Sequence, residues 1–332
     1  MELTQVRQNE IMIIPDAQVV SVLGEECNGS KFLEANTKEV SFNHLKNETI
    51  IPVFSKDNEL TIPHWKFIEA TQDAILEAFP DHRQAQPNIR VSHVIKGRGP
   101  TAIGKPAREL LPHEKTIYFE RMAFLIKIEG VQQNVNGNLL DLVVGGVRAY
   151  NRENLYSKKS IEKFAIFVGY KNTVCTNLCI STDGFKNEVR VTSTVELQEQ
   201  VEQLFLNYDE DRHLGELERF SKFHLNREQF AHMLGKLKLY QYLGLVERKN
   251  LFQVSFNDSM INAVSKSYFQ DDNFKVGEEG LINLWNLYNL FTGAVKSSYI
   301  DSFLKGECQA YEFTQMLANA MQNEEENYFL IP

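Results

Sequence analysis

The sequence has no apolar run near the roughly 20 residues that a membrane-spanning helix requires. Its first residues, MELTQVRQNEIMIIPD, also lack the basic-then-apolar plan of a secretory signal. These two absences point to a cytoplasmic protein with no membrane partner. Cysteine is scarce, with Cys27, Cys175, Cys179 and Cys308 the only four in 332 residues. Only Cys175 and Cys179 stand close together, and no second Cys or His pair has the spacing that would complete a zinc site. They read as small apolar residues of a reducing compartment, with no metal and no cofactor expected. Net positive charge is missing too. At −9 the chain does not coat duplex DNA by charge alone, and any grip on a polyanion has to be local. What is present is enough apolar side chain, 43% of residues with 11% aromatic, to fold one large core or two modest ones.

Against the acidic mean, Arg83 to Arg108 (RQAQPNIRVSHVIKGRGPTAIGKPAR) holds six cations and His93 without one Asp or Glu. Gly97, Gly99 and Gly104 sit among the cations, where a bare backbone can turn sharply and offer N–H groups to an anion. Arg90, His93, Lys96, Arg98, Lys105 and Arg108 are the candidate contacts to phosphate, with nucleic acid the commonest extended partner. KGRGPTAIGKP has neither the glycine-to-lysine spacing of a P-loop nor the Ser or Thr after the lysine. The competing reading is an ordered loop, punctuated by Pro87, Pro100 and Pro106, whose cations pair with the acidic remainder of the chain.

Patterning predicts an α+β fold: an antiparallel sheet with flanking helices, followed by a helical C-terminal part. Residues 1–192 form the sheet region carrying the basic loop, and 193–332 the helical region, packed on the first as one unit or separate from it. Short strands are expected at Gln18 to Leu23 and Thr49 to Phe54, then a helix over Pro63 to Phe79 with Trp65 as a core anchor. After a strand at Ile89 to Val94, Thr116 to Ile128 reads as one long strand. Asn136-Gly137 supplies a hairpin turn to Leu139–Tyr150. Gly145-Gly146 inside the return strand suggests a bulge or a close backbone approach. Lys163 to Tyr170 and Asn187 to Thr192 complete the sheet. Capping boxes at Ser193/Glu196 and Asn226/Gln229 open two helices. Two more lie near Ile282 to Ala294, where Trp285, Tyr288 and Phe291 form a packing stripe, and Tyr311 to Met321.

A second basic stretch, Arg148 to Lys171, interleaves Arg148, Arg152, Lys158 and Lys159 with Tyr150 and Tyr156. Cations beside aromatics are what single-stranded nucleic acid uses, since phosphates bind charge and bases stack on rings. The two basic segments are expected to share one positive face. An acid/base cluster from His93, His113, Glu114, Tyr118, Glu120 and Arg121 is weighed as well. In a continuous strand Glu120 and Arg121 point to opposite sides and cannot pair. Glu114, Glu120 and Asp141 could supply metal-binding carboxylates to a nuclease, but no spacing requires it, and no catalytic residue is assigned.

Three runs, HVIKGRGPTAIGKPARELLPHEKTIYFERMAF, VGGVRAYNRENLYSKKSIEKFAIFVGYKNTVCTNLCISTDGF and INLWNLYNLFTGAVKSSYIDSF, resemble an uncharacterised bacterial domain-of-unknown-function family. Its members are typically carried on conjugative, plasmid or prophage elements. VGYKNTVCTNLCIS and LWNLYNLFTGA are more distantly similar to phage- and plasmid-like proteins of unknown function. The resemblance implies a genetic setting and no catalytic residues. Together these readings favour a non-catalytic nucleic-acid-binding protein, single-stranded nucleic acid the expected ligand, acting in replication, recombination or maintenance of a mobile element. The alternative is a protein-interaction or structural role, with a protein partner or a homo-oligomer, in which the basic loop docks an acidic surface. A metal-dependent enzyme acting on nucleic acid is the third.

Overall fold

The computed structural model describes residues 31–51, 61–102, 104–152 and 161–331. The strand expected at Gln18 to Leu23 lies outside them, as does the second half of the one at Thr49 to Phe54. The described chain opens with β1 (Lys38–Glu39) and α1 (Phe42–Asn47), the latter capped by the Ser41 hydroxyl accepting from the His44 amide at 3.1 Å. Then comes α2 (His64–Ala78), between Pro63 and Pro80 as the pattern predicts. Phe67, Ile68, Thr71, Ala74 and Ile75 recur on one helical face, and all are buried. Trp65 is only half-buried and packs against the core from its edge, with the Lys46 and Lys66 ammoniums 5.1 and 4.7 Å from its ring.

Eight strands follow or precede one another closely: β1, β2 (Asn88–Val91), β3 (Val94–Arg98), β4 (Lys115–Phe119), β5 (Arg121–Val135), β6 (Asn138–Ala149), β7 (Glu162–Asn172) and β8 (Leu178–Cys179), with β9 (Phe185–Val191) after them. The main sheet runs β1-β2-β5-β6-β7-β8, antiparallel throughout, and β9 pairs with β7 beside β8. Asn136 and Gly137 have φ of 50° and 77°, the two positive values a tight hairpin of this hand needs. The single strand expected over Thr116 to Ile128 breaks at Glu120. Phe119 and Met122 are both buried; three apart, they would face opposite sides of a continuous strand. A bend between them lets both point inward, and it sends β3 and β4 out of the sheet as a separate two-stranded ribbon.

Both faces of the main sheet are covered. On one, Phe124, Ile126, Val144, Phe164 and Ile166 belong to the same apolar cluster as Phe67 and Ile75 of α2. On the other, Leu125, Val143, Val147, Ala165 and Phe167 join Phe32, Leu33, Phe303 and Leu304. Gly146 allows the first contact: a Cβ there would stand 2.4 Å from Phe67 Cζ and 2.6 Å from the Ala165 carbonyl oxygen.

The change to helix falls where expected, with α3 (Thr194–Asn207), α4 (Glu210–Phe220), β10 (His224–Leu225), α5 (Arg227–Tyr240), α6 (Leu245–Lys249), α7 (Asp258–Gln270), β11 (Ile282–Asn283), α8 (Leu284–Val295) and α9 (Phe303–Asn323). Asn226 and Gln229 cap α5 reciprocally at 2.9 Å each way. At α3 the box is displaced by a residue: Ser193 accepts from the Glu196 amide, but the Glu196 carboxylate takes the Thr192 amide, at 2.7 Å, instead of that of Ser193. Trp285, Tyr288 and Phe291 are at most 1% exposed, so the stripe on α8 is helix packing. The cluster around Phe67 and Phe124 continues into Leu217, Trp285 and Phe313, so apolar contact runs unbroken across Ser193.

Candidate nucleic-acid interface

The ribbon is pinned at its neck by the Ser92 amide on the Arg121 carbonyl, 3.0 Å, and the Arg121 amide on the Ser92 hydroxyl, 3.2 Å. Its register places Val94 opposite Phe119, Lys96 opposite Ile117 and Arg98 opposite Lys115. Directly opposed residues of an antiparallel pair share a face. That face therefore turns from apolar at the neck, where Phe119 is buried, to cationic further out, where Lys96, Arg98 and Lys115 are all exposed. None of these three forms an ion pair with a described residue. Beyond them the Gly99 amide meets the Glu114 carbonyl at 2.8 Å and closes a tip of short helical turns. Within the tip Lys105 is already neutralised by Glu114 at 2.5 Å. The Lys105 ammonium and the Leu111 amide hold the buried Glu114 carboxyl below the usual carboxylate range. Arg108 stands in solvent, its guanidinium 3.5 Å from Glu109, and His93 is exposed at the neck.

Three of the expected contacts are corrected by their burial. Arg90 is 3% exposed and fastens β1 to β2, donating to the Thr37 hydroxyl and carbonyl at 3.0 Å each, with Glu39 at 3.6 Å. Arg148 is fully enclosed, bonded to the Glu162 carboxylate and the Ile62 carbonyl, its guanidinium 4.7 and 4.3 Å from the Tyr150 and Phe164 rings. Tyr150 is 1% exposed and stacks on His64 at 4.4 Å, so no base can reach it. Burial, and then the nearby Arg148 charge, pushes His64 down to about 3, and its Nε2 is 2.8 Å from the Phe119 carbonyl oxygen. Arg152 is exposed but lines a cleft of about 370 Å³ with Val147, Ala165, Lys163 and Lys305, donating to the Asp301 carbonyl. Lys158, Lys159 and Tyr156 lie outside the described residues. Lys163 pairs with Glu188 at 3.5 Å. The described cations of the second basic stretch are thus tied to the main sheet or to α9 and do not extend the ribbon. Lys115, which sequence reasoning passed over because the acid-free window ends at Arg108, joins Lys96 and Arg98 only through the strand register.

The acid/base cluster does not assemble either. Glu120 comes within 3.9 Å of Arg121 because the bend removes the strict alternation that would have parted them. Asp141 is 3% exposed and held by Lys127 at 2.8 Å and Gln132 at 2.6 Å. With Glu114 on Lys105, each of the three carboxylates has its own partner. Among the described residues no group of three or more His, Cys, Asp or Glu side chains is placed to hold a metal. Cys179 is fully buried, which pushes its thiol up, and Cys175, Cys179 and Cys308 are free thiols.

Two of the runs that carried the family resemblance meet in space. Asn177 donates to the Asn289 carbonyl at 2.9 Å, and Lys296 donates to the Thr176 hydroxyl at 3.1 Å and to the Cys175 carbonyl. The turn after β7 is thereby stitched to α8 by buried polar bonds. The family described as "Domain of unknown function, B. Theta Gene description (DUF3871)" matches residues 13–330. The chain belongs to the DUF3871 family. No curated protein and no solved structure matches it. The match supports the domain-of-unknown-function resemblance over nearly the whole chain, and nothing in it points to a mobile element or to phage- and plasmid-like relatives. In this DUF3871 chain the cysteine–asparagine turn and the aromatic–asparagine helix hold the fold together.

Proposed function

We propose that this DUF3871 protein is a non-catalytic nucleic-acid-binding protein that grips phosphates with the β3–β4 ribbon. The observation behind the reading is the Arg98–Lys115 opposition with Lys96 on the same face. Like charges directly opposed across an antiparallel pair cost stability, and no described carboxylate relieves them. A polyanion laid along that face would. The overall charge of −9 confines the contact to this one projection, since the acidic body repels neighbouring phosphates. A cytoplasmic setting, in the replication, recombination or maintenance of a mobile element, belongs to the same proposal; no helix among the described residues is long and apolar enough to cross a membrane.

The test is a triple variant, Lys96→Ala, Arg98→Ala and Lys115→Ala, followed by fluorescence anisotropy of labelled oligonucleotides over a salt series. Losing three phosphate contacts flattens the dependence of log affinity on log salt by about 2 to 3. Affinity at low salt falls by roughly tenfold or more. A wild-type protein with no affinity for any oligonucleotide at low salt ends the proposal, and the ribbon then belongs to an acidic protein partner.

A further inference from the structure

We infer that the ligand of the ribbon is B-form duplex DNA, entered through the major groove, and not a single strand; this rests on the nucleic-acid reading above. Single-strand binding relies on exposed aromatic rings on which bases stack. The cationic face of the ribbon has none. Phe119, its one ring, is 1% exposed in the core, and Tyr118 is half-buried on the opposite face, paired with Ile95. Tyr150, one of the two stacking residues the sequence suggested, is inside the protein, and the other, Tyr156, lies outside the described residues. On the described face of the ribbon what remains is charge alone, and charge alone recognises a backbone.

The geometry of that charge is compact. Lys96 and Arg98 are two residues apart on one strand, about 6.6–6.8 Å. Lys115 stands across from Arg98 at the roughly 5 Å separation of opposed residues. Three cations so close together can meet successive phosphates along one backbone of a duplex, which carries about one charge per 3.4 Å of axis on each strand. A two-stranded antiparallel ribbon is also one of the shapes that the roughly 12 Å major groove of B-DNA admits. The deep, narrow major groove of an RNA duplex does not admit one. The Ser92–Arg121 bonds at the neck, and the Ile50 amide on the Ile117 carbonyl at 2.9 Å along the outer edge of β4, hold the ribbon at a set angle to the main sheet, so a groove receives its Lys96, Arg98 and Lys115 face and not its β4 edge. The acidic body limits the footprint to the ribbon.

The experiment compares a fluorescein-labelled DNA duplex of about two helical turns, an RNA duplex of the same sequence, and the separate DNA strands, all with the full-length protein. The DNA duplex is expected to bind at least about fivefold more tightly than either competitor, with a salt slope near −3 for three contacts. Lys96→Ala with Arg98→Ala flattens that slope by about 2; both side chains are exposed, and a circular dichroism melt checks that the fold is kept. Equal or tighter binding to the single strand or to duplex RNA overturns this inference and leaves the nucleic-acid reading standing. Binding to none of the three overturns both.

Discussion

Arg148 and Arg98 carry the same guanidinium and meet opposite fates, and their surroundings decide it. Arg98 faces water opposite Lys115, whereas Arg148 lies between aromatic rings and is neutralised by Glu162. Removing one partner of a buried ion pair leaves an uncompensated charge in a poor solvent. Arg148→Met is therefore expected to cost about 3–5 kcal/mol in urea denaturation. Arg148→Met with Glu162→Leu should recover most of that, because two apolar side chains leave no stranded carboxylate. Neither variant should change the salt slope of nucleic-acid binding. A flattened slope in a folded Arg148→Met protein would return Arg148 to the binding surface.

At the scale of elements, the α2 contact with the sheet hangs on a missing side chain. Gly146→Ala drives a methyl against the edge of the Phe67 ring and the Ala165 carbonyl, so α2 or the strand has to move. The expected loss is about 1–3 kcal/mol, as for other overpacked cores, read as a lower urea midpoint; an unchanged midpoint would mean that α2 does not sit where described. The glycine pair was legible in the sequence as a bulge or a close approach; the fold makes it the close approach, and the irregularity in the β5–β6 register falls between Lys127 and Gln132. Helix α4 was not legible. Its buried stripe is His213, Leu217 and Phe220, and a pattern search counts histidine as polar. In the fold His213 packs edge-on to Tyr311 with its Nδ1 2.8 Å from the Tyr208 hydroxyl, so it occupies a core position. Helix α7 is announced by the Asn257 cap, whose side chain accepts from the Met260 amide, and by Ile261, Val264 and Tyr268 at helical spacing.

For the whole molecule, three buried titratable groups set opposing pH dependences. Burial pushes His64 and His213 down to about 3. An unfolded chain takes up protons on both as pH falls below about 6.5, and the native state does not. Stability is therefore lost on the acid side, by up to about 1.4 kcal/mol per pH unit for each histidine. Glu307 is fully buried, neither carboxyl oxygen has a hydrogen-bond partner among the described residues, and burial raises it well above the carboxylate range. Its contribution is complete below the unfolded value near 4.3 and is lost as pH rises beyond it. Between about pH 4.5 and 6.5 the two histidines outweigh the one glutamate, and stability climbs with pH. Glu307→Gln cannot ionise, so its advantage over wild type is expected to grow as pH rises above the unfolded value near 4.3, by up to about 1.4 kcal/mol per unit. Melting temperatures across a pH series measure this. A difference that stays flat with pH would show that Glu307 finds a partner for its charge.

The sequence by itself determined the local structure: the Asn136-Gly137 hairpin, the α2 period, the Asn226/Gln229 box and the passage from strand to helix near Ser193. Each depends on residues within a few positions of one another, so propensity and side-chain chemistry suffice. It also carried the α+β class and, through three long runs, the family. Only the tertiary structure decided which cations meet solvent. Nothing near Arg148 in the chain announces that Ile62 will arrive from 86 residues away to accept its hydrogen bond, and nothing near Arg90 announces Thr37. Lys115 faces Arg98 because one bend, at the half-buried Glu120, lets Phe119 and Met122 both enter the core and sets β4 along β3 outside the main sheet. A charge written in a sequence has no partner until the chain closes on itself, and the low dielectric of the interior then separates structural cations from those left for a ligand.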